Sequence, residues 1–366
     1  MDVISFARGM PGPDLLPVEE FGDCAREAVE RDGATALNYG PAAGYRPLRE
    51  WIAERHAVDP DRVIVSNGSL QSFNFVMRNV VERGVRVFVE APCYDRSLKI
   101  LRRLGADVHE VPLCEDGLDL AALEDALGSV DGPSLVYTIP TFQNPSGRTL
   151  PEPGRRRLLE LAREHGAVLF EDDPYGLLRF EGEELPRIFE LAGGENAILL
   201  SSFSKTVAPG IRVGYAVLPE ELVAPVEALI LENYVSPGFF VQAALFEFLR
   251  RGRFDSNVER VRGGLRAKRD AMLEALAREM PEGTRWNEPE GGYFLWVDLP
   301  TGVRGEDLLQ QAAEVGVTFV KGSDFFFTSG GEESARLAFS YETPEDIGEG
   351  VARLGRLLRE AAAVAA

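Results

Sequence analysis

The stretch VIVSNGSLQSFNFVMRNVVERGVRVFVEAPCYDRSLKILRRLGADVHEVPL, residues 63–113, decides the fold class. Val63, Ile64 and Val65 form a short β-branched run that stops at Asn67-Gly68, which predicts a strand ending in a turn. Residues 69–84 then place Leu70, Phe73, Val76, Met77 and Val80 at helical spacing. RVFVEA (86–91) is again strand-like, residues 94–105 read as a helix stopped by Gly105, and ADVHEVPL (106–113) reads as a strand. The alternation extends in both directions. RPLREWIAERH (46–56) precedes it as a helix; SLVYTIP (134–140) follows as a strand and PGRRRLLELAREHG (153–166) as a helix, then AVLFEDD (167–173) and AILLSSFSK (197–205) as strands. Strands separated by helices of this length imply crossover connections and a mainly parallel sheet covered on both faces, an α/β fold.

Beyond residue 219 the character changes. Residues 220–280 have helical patterning throughout, whereas 281–366 return to strands (GGYFLWVDLP, GVTFVKG, ARLAFSY) mixed with helices. Pro281 and Gly283 punctuate the boundary. The expected organisation is an N-terminal segment (1–34), a large domain with its connecting helix (35–280) and a small α+β domain (281–366).

Composition excludes several function classes. The net charge of −20 repels a phosphate backbone and an anionic membrane surface, so neither nucleic acid nor membrane is an expected partner. No apolar run is long enough to span a bilayer, and the start lacks a signal-peptide pattern, which points to the cytoplasm. Three widely spaced cysteines (Cys24, Cys93, Cys114) give no disulfide framework, and three scattered histidines give no metal motif. No metal site is expected.

Four clusters carry chemistry. The sequence has only four lysines, and Lys99 and Lys268 fall on predicted amphipathic helices where a solvated side chain is the default. Lys205 instead follows the apolar strand of residues 197–203, at the carboxyl end where open α/β sheets bind ligands. Around it, SSFSKTVAPGIRVGY supplies Ser202, Ser204, a Pro-Gly turn and Arg212, a set able to clamp a phosphate dianion while the lysine reaches an aldehyde carbon. In AVLFEDDPYG, Asp172 closes a buried strand with Tyr175 three residues on; such a carboxylate can keep a pyridine nitrogen protonated, although Asp-Asp-Pro is also ordinary turn chemistry. Asn144 in IPTFQNPSGRTL can donate its amide to a ring oxygen, although Asn-Pro turns are common in loops. In VIVSNGSLQSF, the N–H groups of Ser69 and Leu70 open a helix, an anion site by geometry that a plain capped helix would share.

Two further positions complete the set. Tyr94, after the strand of residues 86–91, can stack on a cofactor ring. Arg336 in SARLAFSY offers a bidentate fork for a substrate carboxylate, although an arginine on a strand is often a surface residue.

With GSLQ, APCY, NPSG, DDPY, SxSKxxxPGxR and RLAFS in that order, the chain resembles fold-type I pyridoxal-phosphate (PLP) enzymes of the class I/II aminotransferase family. Its branch of 2-aminoadipate, kynurenine and branched-chain or aromatic aminotransferases looks most similar. The resemblance implies a seven-stranded, mainly parallel sheet in the large domain and PLP as cofactor. It implies that Lys205 is the Schiff-base lysine and proton shuttle, that Asp172 pairs with the pyridine nitrogen, and that Tyr175 and Asn144 bind the ring oxygen. Tyr94 would stack on the ring, and Ser69, Leu70, Ser202, Ser204 and Arg212 would hold the phosphate. Arg336, with Asn144 and Gly9 nearby, would bind substrate. Tyr39, in ALNYGPAAGYRPLREW, matches a tyrosine that in this family reaches the neighbouring subunit's phosphate, so a homodimer is implied.

The implied reaction moves an amino group from an L-amino acid to a 2-oxo acid, 2-oxoglutarate being the expected acceptor. The chain begins close to the Gly9 segment, without the longer arm of many such enzymes, which leaves the donor open. An alternative with the same cofactor is elimination, cyclisation or oxidation of an amino acid, because the cofactor permits several fates. A transcription regulator with an aminotransferase-like domain is disfavoured by the charge, and a nicotinamide enzyme by the lack of GxGxxG after any predicted strand.

Overall fold

The computed structural model describes residues 3–365. The chain opens on β1 (Ile4–Ser5) and builds a large sheet from β2 (Val63–Ser66), β3 (Arg86–Ala91), β4 (Val108–Cys114), β5 (Gly117–Leu118), β6 (Ser134–Thr138), β7 (Val168–Asp172), β8 (Ala197–Ser202) and β9 (Gly214–Val217). Their spatial order is β2-β9-β8-β7-β6-β3-β4-β5. Strands β8, β7, β6, β3 and β4 run parallel, while β9 is antiparallel to both its neighbours. This is the fold-type I arrangement expected from the sequence. Seven strands form the body of the sheet, and the eighth is the two-residue β5, paired antiparallel at the edge; so short a piece has no periodicity to read.

Alternation along these strands divides the core in two. Ile64, Val87, Val89, Leu135, Tyr137, Phe170, Ile198 and Leu200 face one layer of helices. Val63, Val65, Phe88, Val136, Leu169, Ala197 and Leu199 face the other. Both faces are dry, which is why the strands read as continuous apolar runs.

The C-terminal part adds β10 (Arg285–Trp286), β11 (Phe294–Asp298), β12 (Val317–Thr318), β13 (Val320–Lys321) and β14 (Ser334–Ala338). Four of these form an antiparallel sheet in the order β10-β11-β14-β13, and β12 pairs in parallel with β1. The N-terminal segment is thus stitched to the C-terminal part, and its Phe6 carbonyl accepts from Ala338 N of β14 (2.8 Å). The long helix Arg253–Glu279 buries Leu265, Met272 and Leu276 in the same core as Val297, Leu337 and Leu354. No helix among the described residues is long and apolar enough to cross a membrane.

Candidate active site

A cleft of about 560 Å³ opens where the carboxyl ends of the large sheet meet the small sheet and the segment Ala7–Met10. Ser69, Leu70, Tyr94, Asn144, Asp172, Tyr175, Ser202, Ser204, Lys205, Arg212, Arg336 and Gly9 all line it. Strands β3, β6, β7 and β8 point the same way, so the loops that leave them deliver these side chains to one place.

Asp172 is the last residue of β7 and shares the parity of Phe170, so it turns to the face occupied by Tyr137. The Tyr137 hydroxyl donates to Asp172 Oδ2 at 2.8 Å, while Oδ1 is buried without a partner. Burial raises the Asp172 pKa to about 7, against the opposing Tyr137 hydrogen bond. Asp173 faces the other way, accepting from Gly176 N (2.7 Å) and pairing with Arg187 Nε (2.6 Å).

Lys205 lies three residues past β8, half-buried, with Nζ donating to the Gly9 carbonyl. Burial, reinforced by Arg336 and Arg212, lowers its pKa to about 8, whereas Asp172 opposes the shift. A substantial fraction of the amine is therefore neutral near physiological pH, and the fraction grows as pH rises through about 8. The other lysines sit elsewhere. Lys99 pairs with Asp95 and Lys321 with Glu306. Lys268 departs from the solvated side chain expected of it: it is 2% exposed and paired with Asp14 at 2.9 Å. The helix it belongs to is covered by the N-terminal segment, a long-range contact invisible to helical patterning.

Next to Lys205, Gly68 has φ +92°, and a Cβ there would collide with the Arg212 guanidinium; at Gly214 a Cβ would strike Ser69 N. These two glycines leave room for the N-terminus of the helix Ser69–Glu82, the Ser202 and Ser204 hydroxyls and Arg212 to converge. Arg212 donates from Nη1 to Ser204 Oγ and the Pro209 carbonyl and from Nη2 to the Asn67 carbonyl, each at a long 3.3 Å, so the fork is held in place by weak bonds. The cradle suits a phosphate, and the orphaned Asp172 oxygen suits a protonated ring nitrogen.

Arg336, on the central strand β14, donates from Nη1 to Asn144 Oδ1 (3.0 Å) and from Nη2 to the Ala7 carbonyl (2.8 Å), while Nε is buried without a partner. Burial lowers its pKa to about 10, so it stays charged at neutral pH. Burial also raises the Tyr94 hydroxyl to about 12 and pushes Tyr175 higher still. Tyr39 is the one expected site residue outside the cleft, with 81% of its surface exposed.

The chain matches the model of "Aminotransferase class I and II" over residues 10–354. It belongs to that family. The chain is 42% identical to a 2-aminoadipate transaminase of Thermus thermophilus, over 98% of its own length and 90% of that protein. It is 35% identical to aromatic-amino-acid aminotransferase 1 of Thermococcus litoralis, over 98% and 88%. Its fold matches the crystal structure of the T. thermophilus alpha-aminoadipate aminotransferase complexed with N-(5'-phosphopyridoxyl)-L-leucine, with TM-score 0.93, 39% identity, and 99% and 93% of the two chains covered. The protein is therefore a PLP-dependent aminotransferase, and the elimination and cyclisation alternatives are not favoured.

Sequence reasoning missed residues that support or line the cleft. Tyr137 sits mid-strand, and only the register that places it beside Phe170 reveals its hydroxyl at Asp172. Tyr293, whose ring lies 5.4 Å from Lys205 Nζ and whose hydroxyl donates to the Lys205 carbonyl (2.9 Å), needed the small sheet's packing. Arg8 and Arg96 also line the cleft and carried no motif of their own.

Proposed function

We propose that this aminotransferase carries PLP on Lys205 and uses that amine as its proton shuttle, passing amino groups between L-amino acids and 2-oxoglutarate. One observation carries the reading: a half-buried lysine with a depressed pKa shares a cleft with an unpartnered Asp172 oxygen and a phosphate-shaped cradle. Bound PLP supplies an electron sink that makes the amino acid's Cα–H acidic. Asp172 Oδ1, now without a partner, would hold a proton on the ring nitrogen, a contact that would offset the cost of burying the carboxylate. Tyr175 and Asn144 would bind the ring oxygen, Tyr94 would cover the ring, and Ser69, Leu70, Ser202, Ser204 and Arg212 would hold the phosphate. Lys205 Nζ, neutral above about pH 8, would be the base that removes the Cα proton and the acid that delivers it across the amino nitrogen. The deciding test mixes the purified protein with candidate amino acids and 2-oxoglutarate. Formation of glutamate supports transamination; release of ammonia without glutamate overturns it.

In this reading Arg336 binds the α-carboxylate of every substrate, using the Nε now without a partner. Arg336→Lys keeps a charge but not two parallel hydrogen bonds, so binding is expected to weaken by about 10- to 150-fold for all donors alike. Kinetics on three donors with different side chains check this; a loss confined to one donor would mean that Arg336 reads the side chain.

We also propose a cytoplasmic homodimer, with the chain divided at residues 34 and 280. The dimer is supported by Tyr39 (81% exposed) beside exposed Leu37, and by exposed Val235 and Phe240. Tyr39 would then reach a neighbouring subunit's phosphate. Sedimentation at micromolar concentration is expected to give a dimer; a fully active monomer contradicts it.

A further inference from the structure

Two arginines of the cleft are not used in holding the cofactor or the α-carboxylate. Arg8 lies between Ala7, whose carbonyl accepts from Arg336, and Gly9, whose carbonyl accepts from Lys205. Its guanidinium carbon is 4.6 Å from the centroid of the Tyr341 ring, and the Tyr341 carbonyl is held in turn by the buried Lys268. Arg96 stands on the first turn of the helix Asp95–Leu104, two residues after Tyr94, and lines the same cleft. Its charge is felt at Lys205, Arg336 and Tyr94, which sets it on the reactive side.

Neither side chain has an ion pair or a side-chain hydrogen bond among the described residues, in a chain of 59 acidic and 39 basic residues. The two carboxylates facing the cleft are already engaged. Asp95 pairs with Lys99 at 2.7 Å, and Asp172 accepts from Tyr137. Both side chains are exposed at the cleft mouth; a neutral substrate side chain packed against them would strip water from cations and return nothing, whereas an anionic one supplies their partner.

We propose that Arg8 and Arg96 read the distal carboxylate of dicarboxylic substrates, amino diacids and their 2-oxo counterparts. This rests on Arg336 taking the α-carboxylate, as proposed above. Tyr341 holds the Arg8 fork flat by stacking, which lowers the entropy lost when it grips a carboxylate.

The test measures half-reaction kinetics, followed by cofactor absorbance, for glutamate, 2-aminoadipate, leucine and phenylalanine. The enzymes are the wild type, Arg8→Ala, Arg96→Ala and the double variant. The ratio of kcat/KM for diacids over neutral donors is expected to fall by about 10- to 150-fold in the double variant. Arg8→Lys and Arg96→Lys should recover part of it, since lysine restores the charge without the fork. An unchanged ratio, an equal loss for both donor classes, or a wild type that discriminates against diacids would overturn the assignment while leaving transamination intact. A wild type inert toward every donor would sink the proposed reaction as well.

Discussion

Lys205→Ala is expected to lose the near-visible absorbance of the lysine-bound cofactor and at least ~10⁴ of turnover. Loss of a general acid–base group costs typically 10²–10⁴-fold, and the upper end applies because in the proposed role this amine both carries the cofactor and moves the proton. No neighbouring amine can substitute. The other three lysines are paired with Asp95, Asp14 and Glu306, and none lines the cleft. Absorbance spectra and turnover of the variant check this; near-normal turnover would remove Lys205 from the centre of the chemistry.

Asp172→Ala is expected to cost on the order of 10²–10⁴ in rate, through loss of the charge proposed to keep the ring nitrogen protonated. Its neighbour separates two effects. Asp173 is buried against Arg187 on the opposite face and accepts from Gly176 N, so Asp173→Ala should lower stability by on the order of 3 kcal/mol, the range for breaking a buried pair. Its folded fraction should keep most of its turnover. Sequence alone suggests a mild substitution there, but the ion pair makes it a structural one. Rates per folded active site, measured beside thermal melts, check the ranking. The reverse order would assign the ring contact to Asp173.

The difference between these two aspartates shows what was legible in the sequence. Strand alternation predicts that Asp172 and Asp173 diverge, because AVLFEDD reads as one uninterrupted strand. The parallel alternation from residue 63 onward likewise delivers the large sheet, and with it the rule that ligands bind at the strands' carboxyl ends. Residues from several loops were legible because each follows a strand with a turn signal. Tyr137 was not, since its partner is 35 residues away and only register brings the two together. Lys268 misled for the same reason: its helix is amphipathic, but the face it occupies is covered by Asp14 from the far end of the chain. Long-range packing also holds Arg8 against Tyr341. Local patterning reports which face of an element is apolar, not what covers it.

The most direct measurement is borohydride reduction of the holoenzyme followed by peptide mapping. The expected product is a single phosphopyridoxyl label on Lys205, within the peptide that spans SSFSKTVAPGIR. A label on Lys99, Lys268 or Lys321, or no label at all, would contradict the assignment of Lys205 as the cofactor lysine.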